Sequence, residues 1–290
     1  MDVGVTRYMT SQLPHAQNQQ SRKLHFFPAS YPDETLYSRI SRYHLLTGER
    51  KDENTFLELF GEKGHKIDFD EHAPISLRTL ASLLPGDPLV QLGRILSENT
   101  FLPFVVPIVA SSIEEYPGKE FANARSCELC LEEDEQLVGS AYLHRCHQLP
   151  AVTACWKHAV KLIDACPCCG LFFKKPGKFF RAPVTACSCG WRMTNHNTAM
   201  AASKAEHEFA VHAHGVLLQR TQQTSLPVLV RFFLTKIEQN IYKMDASGKI
   251  NRSLLAGIIL QQLREQRNTA EIATAAAAVI ASAKSANWGY

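Results

Sequence analysis

Apolar residues recur at helical spacing through the first third of the chain, and each run closes on a residue that stops a helix. In the first run Leu36, Ile40 and Tyr43 share one face, Asp33 stands where an N-cap is wanted, and Gly48 can take the left-handed C-cap conformation. A second run begins near Asn54, carries Phe56, Leu57, Leu59 and Phe60, and stops at Gly61; a third starts at Ser76 and ends at Pro85-Gly86. The fourth has Asp87 as cap, Pro88 at the first helical position, and Leu89, Leu92, Ile95 and Leu96 as its buried stripe. Short helices on short turns fit a helix-turn-helix arrangement, and they fit a small helical bundle as well. Helical periodicity returns over 198–222, 226–244 and 251–266, and an alanine-rich helix closes the chain, with Asn268 and Glu271 spaced as a capping box ahead of Ile272, Val279 and Ile280.

The 290 residues carry a net charge of +3, too little for an indiscriminate nucleic-acid binder but compatible with a local basic face. No segment reaches a membrane span: the most apolar stretch, 101–110, is about half the length required and is broken by Pro103 and Pro107. The first twenty-odd residues, with Gln12, Gln17, Gln19 and Gln20, lack the apolar core of a signal peptide and read as a mobile tail.

All nine cysteines fall between Cys127 and Cys189 at short spacings interleaved with histidines, the pattern of metal sites in a reducing, cytoplasmic compartment rather than of a disulfide framework. Zn2+ takes four thiolate or imidazole ligands tetrahedrally, and a pair two residues apart on a tight turn supplies two adjacent corners. Cys127-x-x-Cys130 is one such pair, and Cys155-x-x-His158 complements it across a loop of 24 residues. A second site is spelled by Cys166-Pro-x-Cys169-Gly170 with Cys187-x-Cys189-Gly190, whose second pair is one residue shorter than usual. Cys168 competes with Cys169, and Cys146, His144 and His147 compete at the first site; Cys169 is preferred because it completes the Cys-Pro-x-Cys-Gly turn.

Two structural Zn2+ ions are therefore expected, and with them a mainly α architecture. Its parts are a tail (1–24), an N-terminal helical, helix-turn-helix-like domain (25–122), a tandem zinc-finger or zinc-ribbon module (123–195) and a C-terminal helical domain (196–290). Sites filled by four protein ligands leave no position for a reacting water, so the ions read as scaffolding and the chain as a non-enzyme. No His-x-Glu precedes the cysteine pairs as in zinc deaminases, and no GxxxxGKS loop is present. Glu132, Glu133 and Asp134 read as a solvated acidic face, and His147 and Gln148 as residues that fix the loop of the first site.

Several ordered elements carry a resemblance. They are 27–38, Phe-Pro-Ala-Ser-Tyr-Pro-Asp-Glu-Thr-Leu-Tyr-Ser; then Arg39 and Arg42; then Asn99-Thr100-Phe101-Leu102-Pro103-Phe104. After these come Cys127-x-x-Cys130, Glu133-Asp134, Tyr142, Arg145, His147-Gln148-Leu149-Pro150, Cys155-x-x-His158 and Cys166-Pro-x-Cys169-Gly170. Together, over about 26–190, they resemble the TniQ/TnsD family of bacterial transposon target-site selection proteins. The chain departs from the family at Glu128, where a proline is usual, and at Leu143 and Ala151, where an aromatic-glycine context is usual.

The resemblance implies an adaptor that marks target DNA and recruits the AAA+ ATPase regulator of transposition. Some relatives bind DNA directly, whereas others bind a CRISPR surveillance complex, Cascade, whose guide RNA does the reading. For a direct route the candidate contacts are Lys174, Lys175, Lys178, Arg181 and Arg192, set among Phe172, Phe173, Phe179, Phe180 and Trp191, with Arg39 and Arg42 on the first helix. The competing readings are that the aromatics fill a zinc-ribbon core, that the chain is a zinc-finger transcription regulator unrelated to transposition, and that it is a zinc enzyme. A homodimer stays open.

Overall fold

The computed structural model describes residues 23–61, 74–105, 124–173, 179, 187–191, 199–223, 225–228, 230–231, 260 and 263–264. The expected tail, the closing alanine-rich helix and most of 226–266 lie outside these. Among the described residues the helices with defined bounds are α1 (Leu36–Thr47), α2 (Asp52–Phe60), α3 (Pro74–Leu83), α4 (Pro88–Asn99), α5 (Leu102–Val105), α6 (Glu128–Val138), α7 (Arg145–Gln148) and α8 (Lys204–Gln223). Among the described residues the only β pairing is isolated antiparallel bridges, so the fold is mainly helical. No described helix is long and apolar enough to cross a membrane.

Local chemistry explains most helix ends. Asp87 caps α4 by accepting from the Leu89 and Val90 N–H groups, with Pro88 behind it, and Gly48 and Gly61 close α1 and α2 at φ of 67° and 74°. Other ends differ from the expectation. Thr35, not Asp33, caps α1, its hydroxyl accepting from the Ser38 N–H. The α2 helix starts at Asp52, and α8 starts at Lys204 rather than near 198, because Ala201 bridges Val160 and holds the preceding segment extended. Ser203 and Glu206 then form a reciprocal capping box: the Ser203 N–H donates to Glu206 Oε2 at 2.8 Å and the Glu206 N–H to Ser203 Oγ at 3.3 Å.

Helices α2, α3 and α4 pack in succession, and α8 lies against α5 and α7. One apolar core joins Leu36, Ile40, Phe56, Leu80, Leu92 and Ile95 of the first helices to Cys146, Leu149 and Val152, and to Ala213 and Leu217 of α8. Leu89, expected in the buried stripe of α4, is exposed, as is Leu57 on α2. Leu226 and Val230 approach α4 so closely at Gly93 that a Cβ there would sit 3.0 Å from Leu226 Cβ.

Backbone and side chains of 33–38 are sewn to 143–146. The Thr35 N–H donates to Leu143 O at 2.9 Å, and the Leu143 N–H to Ser38 Oγ at 3.0 Å. Asp33 O receives the Arg145 N–H at 2.7 Å, and Asp33 Oδ2 receives the Cys146 N–H at 2.9 Å. The buried Arg145 guanidinium pairs with Asp33 Oδ1 at 3.2 Å and donates to Ser97 O and Thr100 O at 2.8 and 2.9 Å. This demand on Asp33 takes it away from the cap and holds it at φ 57°, a left-handed conformation costly for most non-glycine residues.

Candidate metal centres

The first centre is built at the junction of a helix and a turn. Cys127 is the N-cap of α6 and Cys130 lies in its first turn, where the helix dipole favours a thiolate. The residue between cap and first turn is Glu128, at a position that suits both a carboxylate and the proline usual there. Cys155 and His158 occupy a turn in which the Cys155 N–H donates to Val160 O at 2.8 Å and the Ala159 N–H to Cys155 O at 3.1 Å. The second centre repeats this turn twice: Cys166 pairs with Leu171 and Gly170, and Cys187 with Trp191 and Gly190. The residue after the second ligand is left-handed in all three turns, with φ of 52°, 71° and 89° at Ala159, Gly170 and Gly190. The shorter Cys187-x-Cys189 pair thus makes the same kind of turn as its longer counterparts.

In each centre the four ligand atoms lie within 4.8 Å of one another. His158 Nδ1 stands 3.4 Å from the sulfurs of Cys127 and Cys130 and 3.6 Å from that of Cys155, and Cys130 and Cys155 are 3.6 Å apart. In the second centre Cys166–Cys189 and Cys169–Cys187 are each separated by 3.6 Å. A tetrahedral ion with metal–sulfur bonds of about 2.3 Å has edges of about 3.8 Å, so both donor sets fit Zn2+ without rearrangement. Cys168 is exposed and stays out of the cluster. Neither Cys146 nor His144 joins the first centre; they lie in a separate group with Asp33, whose carboxylate already serves Arg145 and Cys146.

The surroundings prepare the ligands. Glu133 Oε1 lies 3.0 Å from His158 Nε2 and also pairs with Lys157; it fixes the tautomer that leaves Nδ1 facing the sulfurs. Burial works against the Glu133 charge, but Lys157 and His158 outweigh it and hold the carboxyl below its ordinary range. Hydrogen bonds from Cys127, Cys130 and His147 hold the Cys155 thiol far below its ordinary value, while donation to Cys127 and Cys155, together with burial, pushes Cys130 up. Filling the centre with a dication therefore expels protons that the empty cluster retains. Gln148 clamps the neighbouring loop, accepting from the Arg125 N–H at 2.9 Å and donating to Arg125 O at 2.6 Å. The sequence placed Glu133 on a solvated face and did not disclose its pairing with His158, because α6 brings it to a residue 25 positions away in the chain.

Arg39 and Arg42, expected to face nucleic acid, turn inward. Arg42 is buried and grips both carboxylate oxygens of Glu34 at 2.8 and 2.7 Å, and its guanidinium covers the Tyr31 ring. Arg39 donates to Pro28 O at 2.8 Å and to Asn99 Oδ1 at 2.9 Å. The geometry gives Arg42 to the fold, because its forked donors are already matched to Glu34. Lys174, Lys175, Lys178, Arg181 and Arg192 lie outside the described residues. Of the interleaved aromatics, Phe179 stacks on Phe56 in the main core and Trp191 is buried beside Cys166, whereas Phe172 is exposed.

Fold and centres together define a mainly helical protein carrying two closed, thiolate-rich clusters able to hold metal ions. Residues 25–162, a little under half of the chain, match the TniQ family. The matched family is one of target-site selection in transposition. The match takes in the first centre and the whole Asp33–Arg145 junction and ends before the second centre. No curated protein matches the chain.

Proposed function

We propose that the chain is the target-site selection adaptor of a transposon: a protein with two structural Zn2+ ions that engages target DNA, or a DNA-bound CRISPR Cascade complex, and recruits the AAA+ ATPase regulator. The observation that carries this reading is the coincidence of the TniQ match with a closed Cys3His cluster whose flanking loop is sewn into the first helix. With all four corners taken by protein ligands, each ion supplies cross-linking and folding free energy, and no coordination position is left for substrate. The reading is accordingly of a non-enzymatic scaffold.

The direct route to DNA rests on Lys174, Lys175, Lys178, Arg181 and Arg192, since Arg42 is committed to Glu34. Reconstitution tests the whole: purified chain, target DNA, the ATPase and, separately, a guided Cascade complex are combined and scored for assembly. Retention of the ATPase on DNA or on Cascade only when the chain is present is the expected result. DNA binding with no ATPase recruitment in either arrangement would instead give the chain to transcription regulation. Neutralising Lys174, Lys175 and Lys178 together is expected to weaken a gel shift with the metal count unchanged, and an unaltered shift removes that patch.

A further inference from the structure

The two clusters differ sharply in access. In the first, Cys127, Cys130 and Cys155 are 0%, 4% and 0% exposed. In the second only Cys166 is buried; Cys169 and Cys189 are exposed and Cys187 is half-buried. Sulfurs in both clusters approach to 3.6 Å, so about 1.5 Å of closure makes a disulfide in either. Oxidation of a thiolate requires the oxidant to reach the sulfur. Access, not distance, therefore separates them.

We propose that the second cluster is an oxidation site: hydrogen peroxide joins two of its cysteines, Cys169 to Cys187 first, and releases its metal while the first cluster keeps its ion. The inference rests on the reading that both clusters hold Zn2+. In the first step the exposed Cys169 thiolate attacks the peroxide, the O–O bond breaks, a sulfenic acid forms and hydroxide leaves. The Cys187 thiolate then attacks that sulfur, the S–O bond breaks and a second hydroxide leaves. Two electrons pass from the sulfurs to the peroxide, and two solvent protons turn both hydroxides into water. The ion, deprived of two of its four ligands, departs as a dication. The cluster lies beyond the stretch matched to TniQ.

The full chain carrying Cys168→Ser, which removes the exposed thiol that is not a ligand, is treated with hydrogen peroxide. Metal is counted beforehand, release is followed with a chromogenic chelator, and disulfides are mapped by peptide mass. Two ions are expected at the start; one leaves about tenfold faster than the other or more, with a disulfide inside the second cluster, and a dithiol reductant plus Zn2+ restores it. Both ions leaving together, neither leaving, a disulfide in the first cluster, or loss of the response in Cys168→Ser would each overturn the inference. A starting count below two defeats the metal reading itself, and is thereby told apart from failure of the oxidation step.

Discussion

Glu133 touches no metal position, yet it determines which nitrogen of His158 does. Replacing it by glutamine keeps an acceptor and removes the charge that strengthens the imidazole as a ligand. The expected outcome is a loss of about 10- to 100-fold in Zn2+ affinity at the first centre only, read by chelator competition with the second centre as internal control. His144 offers a pH test. Burial pulls it down, but Asp134, 2.9 Å away, outweighs that by hydrogen bond and charge, and Asp33 adds to it, so its pKa is raised from 6.5. A raised folded-state pKa contributes stability that is full below the unfolded value and is lost as pH rises through the folded one. The stability advantage of the native chain over Asp134→Asn should therefore be greatest near pH 5.5 to 6 and shrink at higher pH, as measured by chemical denaturation at each pH with about the same ionic strength. A difference independent of pH would mean that the pair acts through packing alone.

At the scale of elements, two tight turns, the second of them metal-binding, expose where the chain departs from what the backbone wants. Ala151 and Ala159 sit at φ 61° and 52°, where glycine carries no steric penalty and alanine costs about 1 kcal/mol. Ala151→Gly and Ala159→Gly are each expected to raise the melting temperature of the metal-loaded protein; a fall in both would show that the alanine methyls are held by packing worth more than the strain. The same elements show what a sequence discloses and what it conceals. The α4 cap was legible because Asp87, Pro88 and the N–H groups that Asp87 accepts from are neighbours in the chain. Cysteine pairs were legible because metal geometry dictates their spacing. Asp33 was misread as a cap because its carboxylate is claimed by Arg145 and Cys146, more than a hundred residues away. Helix α6 went unread behind its acidic surface, since its inward side is made of metal ligands and only a few apolar residues such as Leu131. The start of α8 was placed too early because the bridge that delays it belongs to the Cys155–His158 turn.

On the scale of the whole molecule, that bridge makes the first centre a support for α8. The Lys161 N–H donates to Met200 O at 2.8 Å, the Ala202 N–H to Ala159 O at 2.9 Å, and Trp156 stacks on His214 with ring centroids 3.7 Å apart. Stripping metal from the first centre with Cys127→Ser should therefore cost α8 its amide protection in hydrogen exchange while α4 keeps much of its own; equal loss in both would show a single cooperative unit, and an unchanged α8 would show that its apolar face suffices. The Asp33–Arg145 junction bears on how such a molecule is made. During synthesis α1 to α5 leave the ribosome well before Arg145 does, so the first helices must wait with Asp33 unmatched and their core open along the surface that Cys146, Leu149 and Val152 later cover. Chains that pause in that interval present apolar surface to one another. The order of translation thus leaves the core of the first helices open until the cysteine-bearing middle, and after it α8, has arrived to cover it.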